Sequence, residues 1–423
     1  GFVYFVWAEM PLVTTEVTMG GEGFTILHAS DFQLDVPLGG LRWIPESIEA
    51  EVLGAPEVAA QRVFDFALQH QVDLLALTGN LLCPTNSSAR SLSFLEEQFT
   101  RMHEHGIPVV WATGSIDPLE NWPTSMTWPE STIRFDRGSV GRRVMTLGGI
   151  DVEVLGCGGD AAGNIHPEWF DGLSRGERQL VIGGGTVDSF KRLDASDLWV
   201  LGGRNYAEHL MEGNARMFYS GVSQGRCLSD SGPRGAQLIH VHDKIELTKL
   251  DCAAIRYESI NIQTDSINNL SDLELNIFNY VEANSWESDC ITLVHWDVDC
   301  KQSTNAFLDT STEFMQWQQL LAQQAMTSNS SVYSIGVNVH GGQGKDVVTD
   351  GEDLLSDYLF ALETLRENGW STMQLNGTAD SDDTQCPWMA VEEDLEGLRT
   401  LDDAARLGEL LLGGSNLIES EAA

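Results

Sequence analysis

Between Phe24 and Gly114 the chain alternates between two hydrophobic periods. FTILHA (24–29) is a continuous apolar run that gives way to the polar SDFQLD. From 57 to 70, Val58, Val63, Phe64, Phe66 and Ala67 share one face at helical spacing, which predicts a helix. DLLALTG (73–79) and IPVVWATG (107–114) are apolar strands stopped by glycine, and a second amphipathic helix is predicted between them over 92–105. Strand, helix, strand, helix, strand, with polar residues in the loop after each strand, is the pattern of an α/β layered fold. Ligands of such folds collect at the carboxyl ends of the strands.

From about 131 the rhythm changes to short strands: STIRF, RRVMTL, IDVEVLG, QLVIGG (179–184), LWVLGG (198–203) and RMFYSG (216–221). AQLIHVH (236–242) and KIELTKL (244–250) continue it, joined across Asp243 as a hairpin. All of these are expected in a second sheet packed on the first. After 256 a separate unit is predicted: strand YESINIQ, helix 271–283, strand DCITLVHWDVD, helix 312–325 and strand SVYSIGVNVH, a small α+β cap. The expected organisation is therefore an N-terminal extension (1–23), a main domain (24–255), the cap (256–346) and a C-terminal tail (347–423). Residues 351–423 hold 17 acids and 3 arginines, with helical stretches at 352–368 and 402–412, and read as a solvated acidic tail. The chain does not open on methionine, and Met10 and Met19 are candidate starts.

Charge sharpens this picture. There are 63 acidic and 24 basic residues in 423, a formal charge of −39, and only five of the basic residues are lysines. That balance leaves little for the basic face on which phosphate-dominated nucleic-acid binding depends. The cysteines at 83, 157, 227, 252, 290, 300 and 386 form no CxxC pair, so reduced thiols and a cytoplasmic setting are expected. No apolar run reaches the length of a membrane span, and none is expected.

Six segments follow one another at fitting intervals: ASDFQLD (29–35), DLLALTGNLL (73–82), IPVVWATGSID (107–117), QLVIGGGTVD (179–188), LWVLGGRN (198–205) and FYSGVSQGR (218–226). Together with GPRGAQLI (232–239) they resemble the calcineurin-like metallophosphoesterases, in particular the SbcD-type DNA repair exonuclease branch. The resemblance implies a four-layer sandwich, two mixed β-sheets flanked by helices, with the α+β cap appended. It also implies two Mn²⁺ ions that activate water and clamp a phosphate, with carboxylates and imidazoles as ligands.

Carried over motif by motif, that ligand set is degenerate. Asp31 stands at the first position, but the histidine of Asp-x-His is Gln33. The bridging aspartate of Gly-Asp is Asn80. In Gly-Asn-His-Asp, Ser115 and Ile116 replace the ligand and the catalytic histidine, while Gly114 and Asp117 are kept. Gly184 stands where the fourth motif has histidine, and Gly203 and Asn205 where the fifth has two. Of seven expected ligands only Asp31 remains. One carboxylate and neutral amides are poor partners for two divalent ions, and without the imidazole at 116 the leaving oxygen has no acid.

Two functional readings follow. The first is a catalytically inactive homologue, with no cofactor, acting as a binding or scaffold subunit; the resemblance implies a coiled-coil ABC-type ATPase partner or a homodimer and leaves DNA contact open. The second is an active Mn²⁺-dependent phosphoesterase or DNA exonuclease using ligands from outside the family positions. His28, His166 and His209 lie near motif ends, His28 on a buried strand as a structural histidine. Arg204, Arg216 and Arg226 surround the motif loops and are candidates for an anion. Trp111, Trp122, Trp128 and Trp169 read as packing residues first and as base-stacking platforms second. HGGQGKD (340–346) lacks the first glycine and the Ser/Thr of a P-loop, and no Gly-x-Ser-x-Gly elbow supports a serine hydrolase.

Overall fold

The computed structural model describes residues 23–41, 43–171, 173, 178–187, 198–212, 215–267, 269–286, 289–303, 312–326 and 332–341. The expectations for the extension, the acidic tail and the glycine-rich run beyond Gly341 fall outside these residues.

Two six-stranded sheets pack face to face. The first is built from β1 (Phe24–Ala29), β2 (Leu74–Thr78), β3 (Val109–Ala112), β4 (Thr132–Phe135), β11 (Gly235–Val241) and β12 (Ile245–Asp251), in the order β12-β11-β1-β2-β3-β4. The second comprises β5 (Gly141–Leu147), β6 (Ile150–Gly158), β7 (Gln179–Gly184), β8 (Leu198–Leu201), β9 (Glu208–Glu212) and β10 (Ala215–Tyr219), in the order β5-β6-β7-β8-β10-β9. β1, β2, β3 and β4 run parallel, so the loops that follow them leave the same edge.

Side-chain alternation divides the core. Leu75, Leu77, Val109 and Trp111 face α1 (Glu49–Gln69) and α2 (Ala89–Glu104), meeting Val63, Phe64, Leu95 and Phe99. Leu74, Ala76, Val110 and Ala112 face the second sheet, meeting Val152, Val154, Ile182 and Val200. The outer face of the second sheet is apolar too: Trp199, Leu201 and Met217 lie under Ile165, Trp169 and Phe170 of the loop after β6. The expected sandwich of two mixed sheets is therefore observed.

A third, all-parallel sheet, β13 (Ile255–Ile267), β14 (Ile291–Ser303) and β15 (Val332–Gly341), is joined through α3 (Leu270–Ala283) and α4 (Thr312–Ala322). Its helix-covered face buries Val294, Trp296 and Val298. The start of its other face, with Ile255, Tyr257, Leu293 and Tyr333, packs on Ile48, Val52 and Ala55.

Several expectations need correcting. β4, β11 and β12 belong to the first sheet, because β4 pairs with β3 and β11 pairs antiparallel with β1. The chain thus returns to the first sheet at its end, which strand character alone does not reveal. α1 begins at Glu49, eight residues before the predicted start, and runs through Pro56. Proline usually marks a helix start, but the burial of Val52, Ala55 and Pro56 holds the extra turns in place. Strand β9 was missed; its Met211 is 60% exposed, so its sequence carries little burial signal. The tryptophans are packing residues: Trp111, Trp122 and Trp128 meet edge-on or tilted at 4.9–5.3 Å behind the first sheet, and Trp169 meets His166 edge-on. Among the described residues no helix is long and apolar enough to cross a membrane.

His28 on β1 is fully buried, with its Nε2 2.9 Å from the Thr78 hydroxyl of β2. Thr78 in turn donates to the Ala29 carbonyl. Burial takes the ring's pKa down from 6.5 to about 3. Between these values only the unfolded chain binds the proton, so stability is held above pH 6.5 and falls as the pH drops toward 3. Urea unfolding from about pH 7 to about pH 4 is expected to show this loss, and His28→Gln is expected to flatten the slope.

Candidate functional site

The loops after β1, β2, β3, β7 and β8 meet at the carboxyl edge of the sandwich. The first two continue the pairing of their strands beyond the sheet: the Asp31 N–H donates to the Gly79 carbonyl (2.9 Å), Gln33 to Asn80 (2.9 Å) and Leu34 to Leu81 (3.0 Å). To do so, Asp31, Gln33 and Asn80 adopt φ of 54°, 45° and 55°. Left-handed non-glycine residues carry a conformational cost that the surroundings must offset. Here those ladder bonds offset it.

Asp31 is buried, and both its oxygens are engaged. Asn80 Nδ2 donates to Oδ1 at 2.8 Å, and the backbone N–H of Gly203, from the loop after β8, donates to Oδ2 at 3.2 Å. Burial raises its pKa, opposed by hydrogen bonds from Asn80, Ser30, Gly203 and Gln33. Asn80 also accepts the Ile116 N–H on its Oδ1 (3.3 Å), so each end of its amide has a partner.

Asp117 is the second buried carboxylate, and it serves the backbone. It accepts from Gly114 N (2.5 Å), Leu81 N (3.0 Å) and Asn80 N (3.1 Å), tying the loop after β3 to the loop after β2. Burial pushes its pKa up to about 6, those three N–H donors pull the other way, and nearby Asp31 adds to the rise. Trp122 Nε1 caps the arrangement on the Asp117 carbonyl at 3.0 Å.

The remaining motif positions are backbone. A Cβ on Gly114 would sit 2.2 Å from Asn80 Oδ1, so this glycine makes room for the amide. A Cβ on Gly184 would sit 2.0 Å from the Thr113 carbonyl, which leaves no space for any side chain there. Gly203, at φ +82°, presents its N–H to Asp31. Asn205 is engaged through its carbonyl, which accepts the Val222 N–H at 3.2 Å, and it is not a partner of Asp31. Ser115 and Ile116 are half-buried in the loop between Gly114 and Asp117.

None of the three histidines joins Asp31. His28 is held within the first sheet by Thr78. His166 lies on the loop after β6, 2.9 Å from the Asp160 carboxylate. His209 is stacked on Phe218 at 4.4 Å on the second sheet. Among the described residues, no three His, Cys, Asp or Glu side chains come together in a way that could hold a metal. The residues present therefore do not fit a pair of Mn²⁺ ions: only two carboxylates lie near each other among the described residues, and each already accepts from amide or backbone donors.

Two of the three candidate anion-binding arginines have internal partners. Arg226 is buried, and its guanidinium donates to the carbonyls of Phe32, Val36 (2.8 Å) and Gln33 (3.0 Å). Burial lowers its pKa to about 10, which leaves it charged, and Asp230, Asp35 and Asp31 lie close enough to favour that charge. Arg204 pairs with Glu208 and lies over the Tyr219 ring, 4.3 Å from its centroid. Arg216 is on β10 beside His209. What sequence reasoning missed is Arg226 as the clamp of the loop after β1, and no spacing in the sequence marks that role.

No family model matches the chain. Among curated proteins it is similar to the uncharacterized metallophosphoesterase YhaO of Bacillus subtilis (strain 168), 27% identical over 233 residues, which are 51% of this chain and 57% of that protein. The chain is metallophosphoesterase-like. It spans little more than half the length of that relative. Among solved structures it is similar to a dimetal phosphatase from Danio rerio (7% identity, TM-score 0.35, 54% of this chain and 96% of that one). It is also similar to GAP50, the anchor in the inner membrane complex of Plasmodium (11% identity, TM-score 0.34, 54% and 85%). At these TM-scores neither likeness bears on the site.

Replacing Arg226 with methionine keeps the bulk and removes the donors to three loop carbonyls. Such buried acceptors left unmade cost about 2–4 kcal/mol together, and Arg226→Met is expected to lose that much in urea unfolding.

Proposed function

We propose that this metallophosphoesterase-like chain is a non-catalytic member of the exonuclease branch it resembles, acting as a binding or scaffold subunit. The observation that carries the reading is Asp31. Its two oxygens, the first a metal would need, are taken by the Asn80 amide and the Gly203 N–H. A neutral amide at 80 and a glycine at 184 remove the charge that would hold divalent ions. Ile116 brings no proton to a leaving group. The partner class that suits the resemblance is a coiled-coil ABC-type ATPase.

Calorimetric titration of the full chain with Mn²⁺, run beside nuclease turnover on linear DNA, tests this reading. No binding heat and no turnover from a folded protein is the expected result. Tight binding with turnover abolished by Asp31→Ala would overturn it in favour of an active phosphoesterase.

A further inference from the structure

We infer that the Asp31–Asn80–Asp117 cluster is a metal-free structural core, already closed by backbone, in which an acid restored at position 80 destabilises the fold without recruiting a metal. The inference rests on the reading that the chain lacks a dimetal centre, and adds that the vacated place has been rebuilt as a different object.

The first ground is the hydrogen-bond accounting at Asn80. Its N–H donates to Asp117 (3.1 Å) and its carbonyl accepts from Gln33 (2.9 Å). Its side-chain amide donates to Asp31 (2.8 Å) and accepts from Ile116 (3.3 Å). All four polar groups are used, and the side chain needs one donor end and one acceptor end. An aspartate there has two acceptor ends, so one oxygen would face an Asp31 oxygen across a hydrogen-bond distance. A third carboxylate would also join two that are already buried, where like charges are costly.

The second ground is space. The Cβ directions of Gly114, Gly184 and Gly202 end 2.2 Å from Asn80 Oδ1, 2.0 Å from the Thr113 carbonyl and 1.8 Å from the Thr78 carbonyl. These carbonyls belong to the ends of β2 and β3 or the residue after them, so an imidazole at 184 would have to displace the first sheet's own edge. Reversion of side chains alone therefore does not reopen the place. A third ground is independent of both. Asp31 and Asn80 of the cluster, with Gln33 beside them, hold left-handed backbone, fixed by the ladder between the first two loops, and that strain persists only where the surroundings over-determine it.

The test is thermal unfolding of the full chain with and without saturating Mn²⁺, with calorimetric titration of the same ion, for wild type, Asn80→Asp and Gly184→Ala. Asn80→Asp is expected to lower Tm by several degrees, with no recovery on adding Mn²⁺ and no binding heat. Gly184→Ala is expected to lower Tm as well, since its methyl meets a backbone carbonyl. Mn²⁺ returning Asn80→Asp to the wild-type Tm would overturn the inference, as would a wild-type Tm for Gly184→Ala. Should Asn80→Asp not fold, Asn80→Ser takes its place, removing the amide without adding charge. It is expected to lose fewer degrees and to stay blind to Mn²⁺, and stabilisation by Mn²⁺ overturns the inference. Mn²⁺ binding with turnover by the wild type defeats the functional reading. A silent wild type with an Mn²⁺-stabilised Asn80→Asp defeats this inference alone.

Discussion

The carboxylate of Asp117 holds the carboxyl edge of this sandwich together. Chain leaving a sheet for a buried loop carries N–H groups that must find acceptors, and Asp117 satisfies three of them from two different loops. Removing a carboxylate from water costs several kcal/mol, while each N–H donated to a charged acceptor returns about 1.5–3 kcal/mol. Three such bonds bring the two effects near balance, which accounts for a pKa raised only to about 6 in a group with no exposure. Asp31 does the same for the loops after β1 and β8 with fewer strong donors, and burial dominates there as well. The two acids are anchors for backbone, and their neighbours are chosen to donate to them.

That edge is continuous with the third sheet. Gln224 accepts Ala254 N (2.9 Å) and Ile255 N (3.2 Å) at the start of β13 and donates to the Ile255 carbonyl (2.6 Å). Two residues on, Arg226 grips the loop that carries Gln33. The Gly39 N–H donates to the Arg226 carbonyl at 2.6 Å, and the Tyr257 hydroxyl donates to the Gly39 carbonyl at 3.0 Å. The run FYSGVSQGR, which marked the exonuclease-type resemblance, thus acts as the joint between the motif loops and the appended sheet. Its Ser220, Gln224 and Arg226 side chains hydrogen-bond internally.

How much of this was legible in the sequence depends on the range of the interaction. β1, β2, β3 and β7 could be read because each is a largely buried apolar run bounded by glycine or polar residues, a purely local signal. Membership of a sheet could not, since β4 and β11 reach the first sheet by pairing with strands distant in sequence. At the site, the loss of ligand chemistry at Gln33, Asn80, Ile116 and Gly184 was visible as residue type. The Arg226 clamp was not, because its bonds span 190 to 194 positions. The hydrogen bonds of Asp117 follow from its loop closing on the loop before it, which no single residue announces.

The glycines of the motif loops have a further consequence. Gly79, Gly114, Gly184 and Gly203 stand where backbone meets backbone or turns left-handed, so exchange at any of them disturbs the packing of two sheets. Selection for mere foldedness is enough to preserve them. Asn80 is bound as tightly by its four hydrogen bonds, so glycine and amide positions alike answer to packing. A loop edge built this way is held by its own geometry, whatever chemistry it carries.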